Sequence, residues 1–293
     1  MLTNIKSKQL LLWLQNNVSE STDKKYRHQI LKENSEKRGE IIEELKEIFN
    51  EAHDDARVRL RKVTDTSLHP LEHKDSFDPA QGYPELFDLT TLKGYFGEVF
   101  AGLIAENFHP FEEEWKVPVF SFRYHEIAFD QLEMYRLTGE KLNTIPGRTG
   151  DDCLAFVLDN SNQINKVLFC EAKCTAKHKE SMISDAHNKI SSMNIIPVEI
   201  RRLIDTLNDY NDSGSQNWVN SLRELYIKGQ QRERYDLVSY VCGKSPVKPK
   251  TRKSWIPSST PHNSYEGDRK LEAVEIHLTD VEDLIKEVYG KAD

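Results

Sequence analysis

The sequence predicts an α/β fold: a mixed sheet with helices on both faces and a helical N-terminal extension. Two strand-length runs, Cys153 to Leu158 and Val167 to Cys174, are apolar on both faces. The turn Asp159-Asn160-Ser161-Asn162-Gln163 separates them, so they read as a buried hairpin. Segments of helical periodicity precede and follow this pair. Two more strand patterns, Leu237 to Val241 and Leu271 to Leu278, come late in the chain.

At the N-terminus, residues 3–16 read as an apolar-rich helix centred on Ile5 to Leu14. Glu20 to Lys62 is long, charged and helical in pattern, with Ile30-Leu31, Ile41-Ile42, Leu45 and Ile48-Phe49 as its apolar positions. So polar a helix buries little by itself, and it predicts a docking arm for another subunit or a solvated face. Residues 1–62 are therefore the expected extension. Residues 63–90, with Pro70, Pro79, Gly82 and Pro84 among polar neighbours, are the expected linker, and 91–293 the main domain.

Within that domain a helix is predicted from about Thr91 to Asn107. Leu92, Tyr95, Phe96, Val99 and Leu103 lie on its buried side, and Glu98 is offset from that stripe. Trp115 to Arg123 alternates as a strand, placed at an edge by Pro118. Phe129 to Leu137 predicts a short helix, and Gly147-Arg148-Thr149-Gly150 a tight turn. Ser181 to Met193, Val198 to Tyr210 and Trp218 to Lys228 read as helices, with a break at Asn211 to Ser215. Asp280 to Tyr289 closes the chain as a helix.

The 293 residues are 38% hydrophobic and 9% aromatic, which is enough for a substantial core. The start Met-Leu-Thr-Asn-Ile-Lys lacks the apolar stretch of a signal peptide, and no apolar run has the length of a membrane span. Cys153, Cys170, Cys174 and Cys242 read as small buried hydrophobes in a reducing cytoplasm. A Cys170–Cys174 zinc site lacks a second ligand pair.

A net charge of −8 does not suit a chain that grips nucleic acid unaided. The local exceptions are Lys173 to Lys179, with three lysines and His178, and Lys244 to Trp255, which carries Lys244, Lys248, Lys250, Arg252 and Lys253 without an acid. The second reads as a solvated loop or as a track for a phosphate backbone, with Trp255 able to stack on a base. No GxxxxGK[ST] loop and no G-x-S-x-G elbow is present, which argues against ATP hydrolysis and a serine-hydrolase triad.

The chemistry-bearing pattern is Gly150-Asp151-Asp152, followed by Glu171-Ala172-Lys173. Strand side chains alternate, so Val167, Phe169, Glu171 and Lys173 share one face and Leu168, Cys170, Ala172 and Cys174 the other. Pairing the two runs brings Asp152, at the start of one strand, beside Glu171 and Lys173 near the end of the next. Charge at the end of a buried strand is costly unless a partner or a metal satisfies it. Two carboxylates and an ammonium so placed suit the cutting of a phosphodiester. The acids would hold a hard cation with the Ala172 carbonyl as a further ligand, and the lysine would neutralise phosphate and orient water.

These residues resemble the PD-(D/E)XK nuclease superfamily, whose pattern is an acid at the start of one strand and (D/E)-x-K on the next, often preceded by a helix with a glutamate. Asp152 matches the first acid, with Asp151 in reserve; Glu171 and Lys173 match the second part, and Glu98 in Gly94-Tyr95-Phe96-Gly97-Glu98 the helix glutamate. The leading proline of the pattern is absent. The resemblance spans about residues 90–195. It implies a restriction-endonuclease-like core, a metal-dependent nuclease using Mg²⁺ or Mn²⁺, metal ligands Asp152, Glu171 and Glu98, and DNA as the favoured substrate. In the Gly97-Glu98 helix, Gly150-Asp151-Asp152, Glu171-Ala172-Lys173 and the closing strand-helix from Glu275-Ile276-His277-Leu278 to Tyr289, the chain is similar within the superfamily to the nuclease-like HamA subunits of bacterial Hachiman antiphage systems, which implies a helicase/ATPase partner. Other readings are a restriction-type endonuclease acting alone and a catalytically silent nuclease-fold scaffold.

Overall fold

The computed structural model describes residues 5–63, 78–120, 122, 126–139, 152–193, 197–210, 212–228, 233–247 and 253–291. It is α/β, with a six-stranded mixed sheet in the order β1-β2-β6-β5-β4-β3. The four inner strands, β2 (Tyr26–Glu33), β6 (Lys270–His277), β5 (Glu233–Cys242) and β4 (Ile164–Thr175), are mutually parallel. The edge strands β1 (Leu14–Glu20) and β3 (Cys153–Leu158) are antiparallel to their neighbours. Parallel strands are covered on both sides, and β4 and β5 are accordingly buried along most of their length.

The two faces are covered by different helices. One core cluster joins Leu168, Cys170, Ala172 and Cys174 of β4 to α1 (Lys8–Trp13), α2 (Arg38–Ala52), α4 (Leu89–Phe108) and α9 (Val281–Val288). The other joins Val167 and Phe169 to α6 (Glu180–Ser192), α7 (Pro197–Leu207) and α8 (Ser213–Lys228). The alternation predicted for β4 therefore sorts its residues between two cores. All four cysteines are buried free thiols.

The hairpin of β3 and β4 and the helices α5 (Glu126–Thr138) to α9 follow the predicted pattern with shifted boundaries, except that α8 already begins at Ser213, inside the expected break at Asn211 to Ser215. α4 starts two residues before the predicted Thr91. Asp88 explains the start: its side chain accepts from the amides of Thr90 at 2.7 Å and Thr91 at 3.3 Å, and from the Thr91 hydroxyl at 2.8 Å. Removing such a cap is expected to cost about 1 kcal/mol. Asp88→Ala should lower the urea midpoint accordingly without changing the slope of the transition.

The N-terminal region departs from prediction. Residues 14–33 form β1 and β2, and β2 lies inside the sheet beside β6, so they are not part of a helical extension. The polar side chains of Arg27, His28 and Gln29 hid this strand, yet all three are buried because β6 supplies partners from across the ladder. His28 meets Glu275, and Gln29 meets Glu272. Arg38 to Lys62 is helical, as α2 and α3 (Asp54–Val63), but α2 is no free arm. Its Ile41, Leu45 and Phe49 are buried, and Phe49 stacks on Phe96 of α4 with ring centres 5.0 Å apart. In the predicted strand Trp115 to Arg123, the described residues pair only through Lys116, which bridges Phe156 of β3. Among the described residues, no helix is long and apolar enough to cross a membrane.

Candidate functional site

The β3–β4 hairpin places the acids as its register requires. Cys153 pairs with Cys170, and one residue earlier the Asp152 amide still donates to the Cys170 carbonyl at 3.2 Å. The Asp152 side chain turns back onto β4, where Oδ2 accepts from the Ala172 amide at 2.8 Å. That bond fixes Asp152 beside Glu171. Glu171 is fully buried on the α6 face, and Lys173, two residues on, donates to Glu171 Oε1.

A second lysine arrives from α6. This helix buries Ile183, Ala186, His187 and Ile190 against the sheet. Lys189 sits on the flank of that stripe, with Nζ 2.5 Å from Glu171 Oε2 and 3.7 Å from Asp152 Oδ1. From the sequence His187, Asn188 and Lys189 are the polar residues that the helix after Glu171-Ala172-Lys173 could add to a site, with a plain surface helix as the favoured reading; what distinguishes Lys189 is its spacing, three residues after the buried Ala186. Burial, and then the charge of Asp152, push the Glu171 carboxyl above its ordinary range, against the pull of Lys173 and Lys189.

The donor set fits a divalent cation. Asp152 Oδ1, just before β3, and Glu171 Oε2, on β4, converge on a single cationic nitrogen. Among the described residues no three of His, Cys, Asp or Glu gather for a metal. An ion held here would rely on these two carboxylates, with water and phosphate filling the remaining positions, as suits Mg²⁺.

Glu98 does not join the pair. A side-chain carbon at Gly97 would stand 3.5 Å from Cys174 Cβ and 3.6 Å from Ala172 Cβ, so α4 lies on the face opposite Glu171 and Lys173. Glu98 is buried there, near Tyr83, Tyr95 and Tyr289. After burial, its charge contributes to holding the hydroxyls of Tyr95 and Tyr289 above their usual range. The expected metal ligand Glu98 is corrected on this ground: packing assigns its helix to the other side of the sheet.

Asp151 lies outside the described residues, as do Arg148, Lys248, Lys250 and Arg252. Lys244 and Lys253 are exposed. Trp255 is half-buried, and one face of its ring is taken. Its ring stacks on His178 at 3.8 Å with planes 5° apart, and its amide donates to Glu275.

A polar row that sequence reasoning missed continues the site across the α6 face. Lys173 is in register with Tyr240, and Tyr240 with Glu275. Glu275 is fully buried, with His28 Nε2 and His277 Nε2 each at 3.0 Å and the amides of Trp255 and Ile256 donating at 2.8 and 2.6 Å. Burial alone would raise its pKa, but the bonds from His277, His28 and the Trp255 amide outweigh it and hold the carboxyl at about 2. His277 lies two residues on in the same strand and so shares its face, but His28 comes from β2, 247 residues away, and no local pattern announces it. The sequence matches no protein-family model and no curated protein.

Proposed function

We propose that this chain is a metal-dependent nuclease that hydrolyses phosphodiester bonds, with DNA as the favoured substrate and Mg²⁺ or Mn²⁺ as cofactor. The observation that carries this reading is the convergence of Asp152 Oδ1 and Glu171 Oε2 on one cationic position, with Lys173 on the same strand face. Asp152 and Glu171 would hold the ion. When bound, the ion supplies polarisation of the phosphoryl oxygen and a lowered pKa for water. Lys173 neutralises charge developing on the phosphate and orients the attacking water. In the cleavage the water oxygen bonds to phosphorus as the phosphorus–oxygen bond to the leaving sugar breaks.

The net charge of −8 favours a partner chain that carries much of the nucleic-acid grip. The proposal includes a helicase/ATPase in that role, within an antiphage defence complex. A second reading, a silent nuclease-fold subunit, is favoured by Lys189, whose charge already lies beside both carboxylates.

The test incubates the full chain and Lys173→Ala with plasmid and single-stranded DNA in Mg²⁺ or Mn²⁺. The nuclease reading expects cleavage by the parent chain that a chelator stops and that Lys173→Ala lacks. No cleavage under any metal condition, or undiminished cleavage by the variant, would overturn it; the first of these would support the silent subunit.

A further inference from the structure

Lys189 contacts the acidic pair from a different element than the strands that carry it. Its Nζ faces Glu171 Oε2 and Asp152 Oδ1, whereas Lys173 engages Glu171 through Oε1. Lys189 thus occupies the space between the two carboxylates, which is the space a cation bound to both must take. Two cations cannot share it. With both lysines in place the cluster holds two negative and two positive charges, so the buried Glu171 is neutralised without any ion. The Lys189 side chain is 34% exposed and Glu171 is fully buried, so the lysine has room to leave and the acid does not.

We propose that Lys189 is a built-in competitor of the metal: it bridges Asp152 and Glu171 when no ion is present, withdraws as the ion binds, and then faces the substrate phosphate. This inference rests on the metal-dependent reading of the site. Its physical content is population arithmetic. An ion binds only the fraction of molecules in which the lysine has withdrawn, and its apparent affinity is lowered by that fraction.

The experiment is Mn²⁺ titration by calorimetry on the full chain without nucleic acid, comparing the parent with Lys189→Met and Lys173→Met. Lys189→Met is expected to bind Mn²⁺ about tenfold more tightly, as when the competent fraction rises from about a tenth to nearly all. Lys173→Met removes the same charge from beside Glu171 but not from between the acids, and is expected to gain much less. In the absence of metal Lys189→Met should melt below the parent, and saturating Mn²⁺ should raise its melting temperature by more than it raises the parent's. Should the methionine variant not fold, Lys189→Gln keeps similar reach without the charge and carries the same expectation. Equal affinity in parent and Lys189→Met overturns the competitor role and leaves the metal site standing. An equal gain in Lys173→Met also overturns it, because the effect is then one of overall charge. Failure of all three to bind Mn²⁺ removes the metal-dependent reading itself.

Discussion

Glu171→Gln is expected to abolish metal-dependent cleavage, lowering the single-turnover rate by about 10³-fold or more, while the chain stays folded. Charge stabilisation by a bound ion is worth several kcal/mol, and each 1.36 kcal/mol is about tenfold in rate. Glu171 supplies one of the two carboxylates that converge on the cationic position, and the only other is Asp152 among the described residues. The amide keeps the shape of the acid but not its charge. Stability should fall less than activity, because the Lys173 and Lys189 side chains, 24% and 34% exposed, can turn to water when the charge is lost. The ionised carboxyl is disfavoured by burial and by Asp152, so neutralising it relieves one penalty while it deprives Lys173 and Lys189 of a partner. Circular dichroism melts run beside the cleavage assay separate the two effects. A variant that cleaves at the parent's rate would sink the site, and a variant that is inactive only because it is unfolded would leave Glu171 a structural residue.

Glu275→Ala is expected to have the largest effect on stability, about 3–5 kcal/mol at neutral pH, because truncation strands the buried groups that faced the carboxylate. Its two oxygens serve His28, His277 and the amides of Trp255 and Ile256. The substitution would also change the acid limb of the stability profile. The folded-state pKa of Glu275 is lowered from 4.5 to about 2. Its stabilisation is therefore complete above the unfolded value near 4.5 and is lost as pH falls toward 2, a loss of roughly 3 kcal/mol. Urea denaturation at neutral pH and near pH 3 should show the parent losing more stability on acidification than Glu275→Ala. Parallel pH profiles for the two chains would refute the assignment.

The centre of the candidate site was readable because it is local. Alternation puts Glu171 and Lys173 on one face of a strand, and a five-residue turn after an apolar run sets the antiparallel register that draws Asp152 to Ala172. No element beyond the hairpin is needed for that geometry. The same reasoning misplaced Glu98. Helical spacing tells which side of α4 is buried, but not which side of the sheet the helix covers. It also misread β2, whose Arg27, His28 and Gln29 look solvent-facing until Glu272 and Glu275 of β6, more than two hundred residues away, are brought beside them.

The α/β class, most of the helices, the paired strands and the Asp152–Glu171–Lys173 triplet were thus determined by the sequence alone, since each depends on periodicity within one element or across one short turn. The tertiary structure alone decided that residues 14–33 enter the sheet, that Lys189 stands between the two acids, that Glu98 lies behind them, and that Trp255 stacks on His178. Those facts depend on which elements pack together. Burial of apolar surface and the pairing of buried charges select that arrangement over the whole chain, and no single stretch of residues records it.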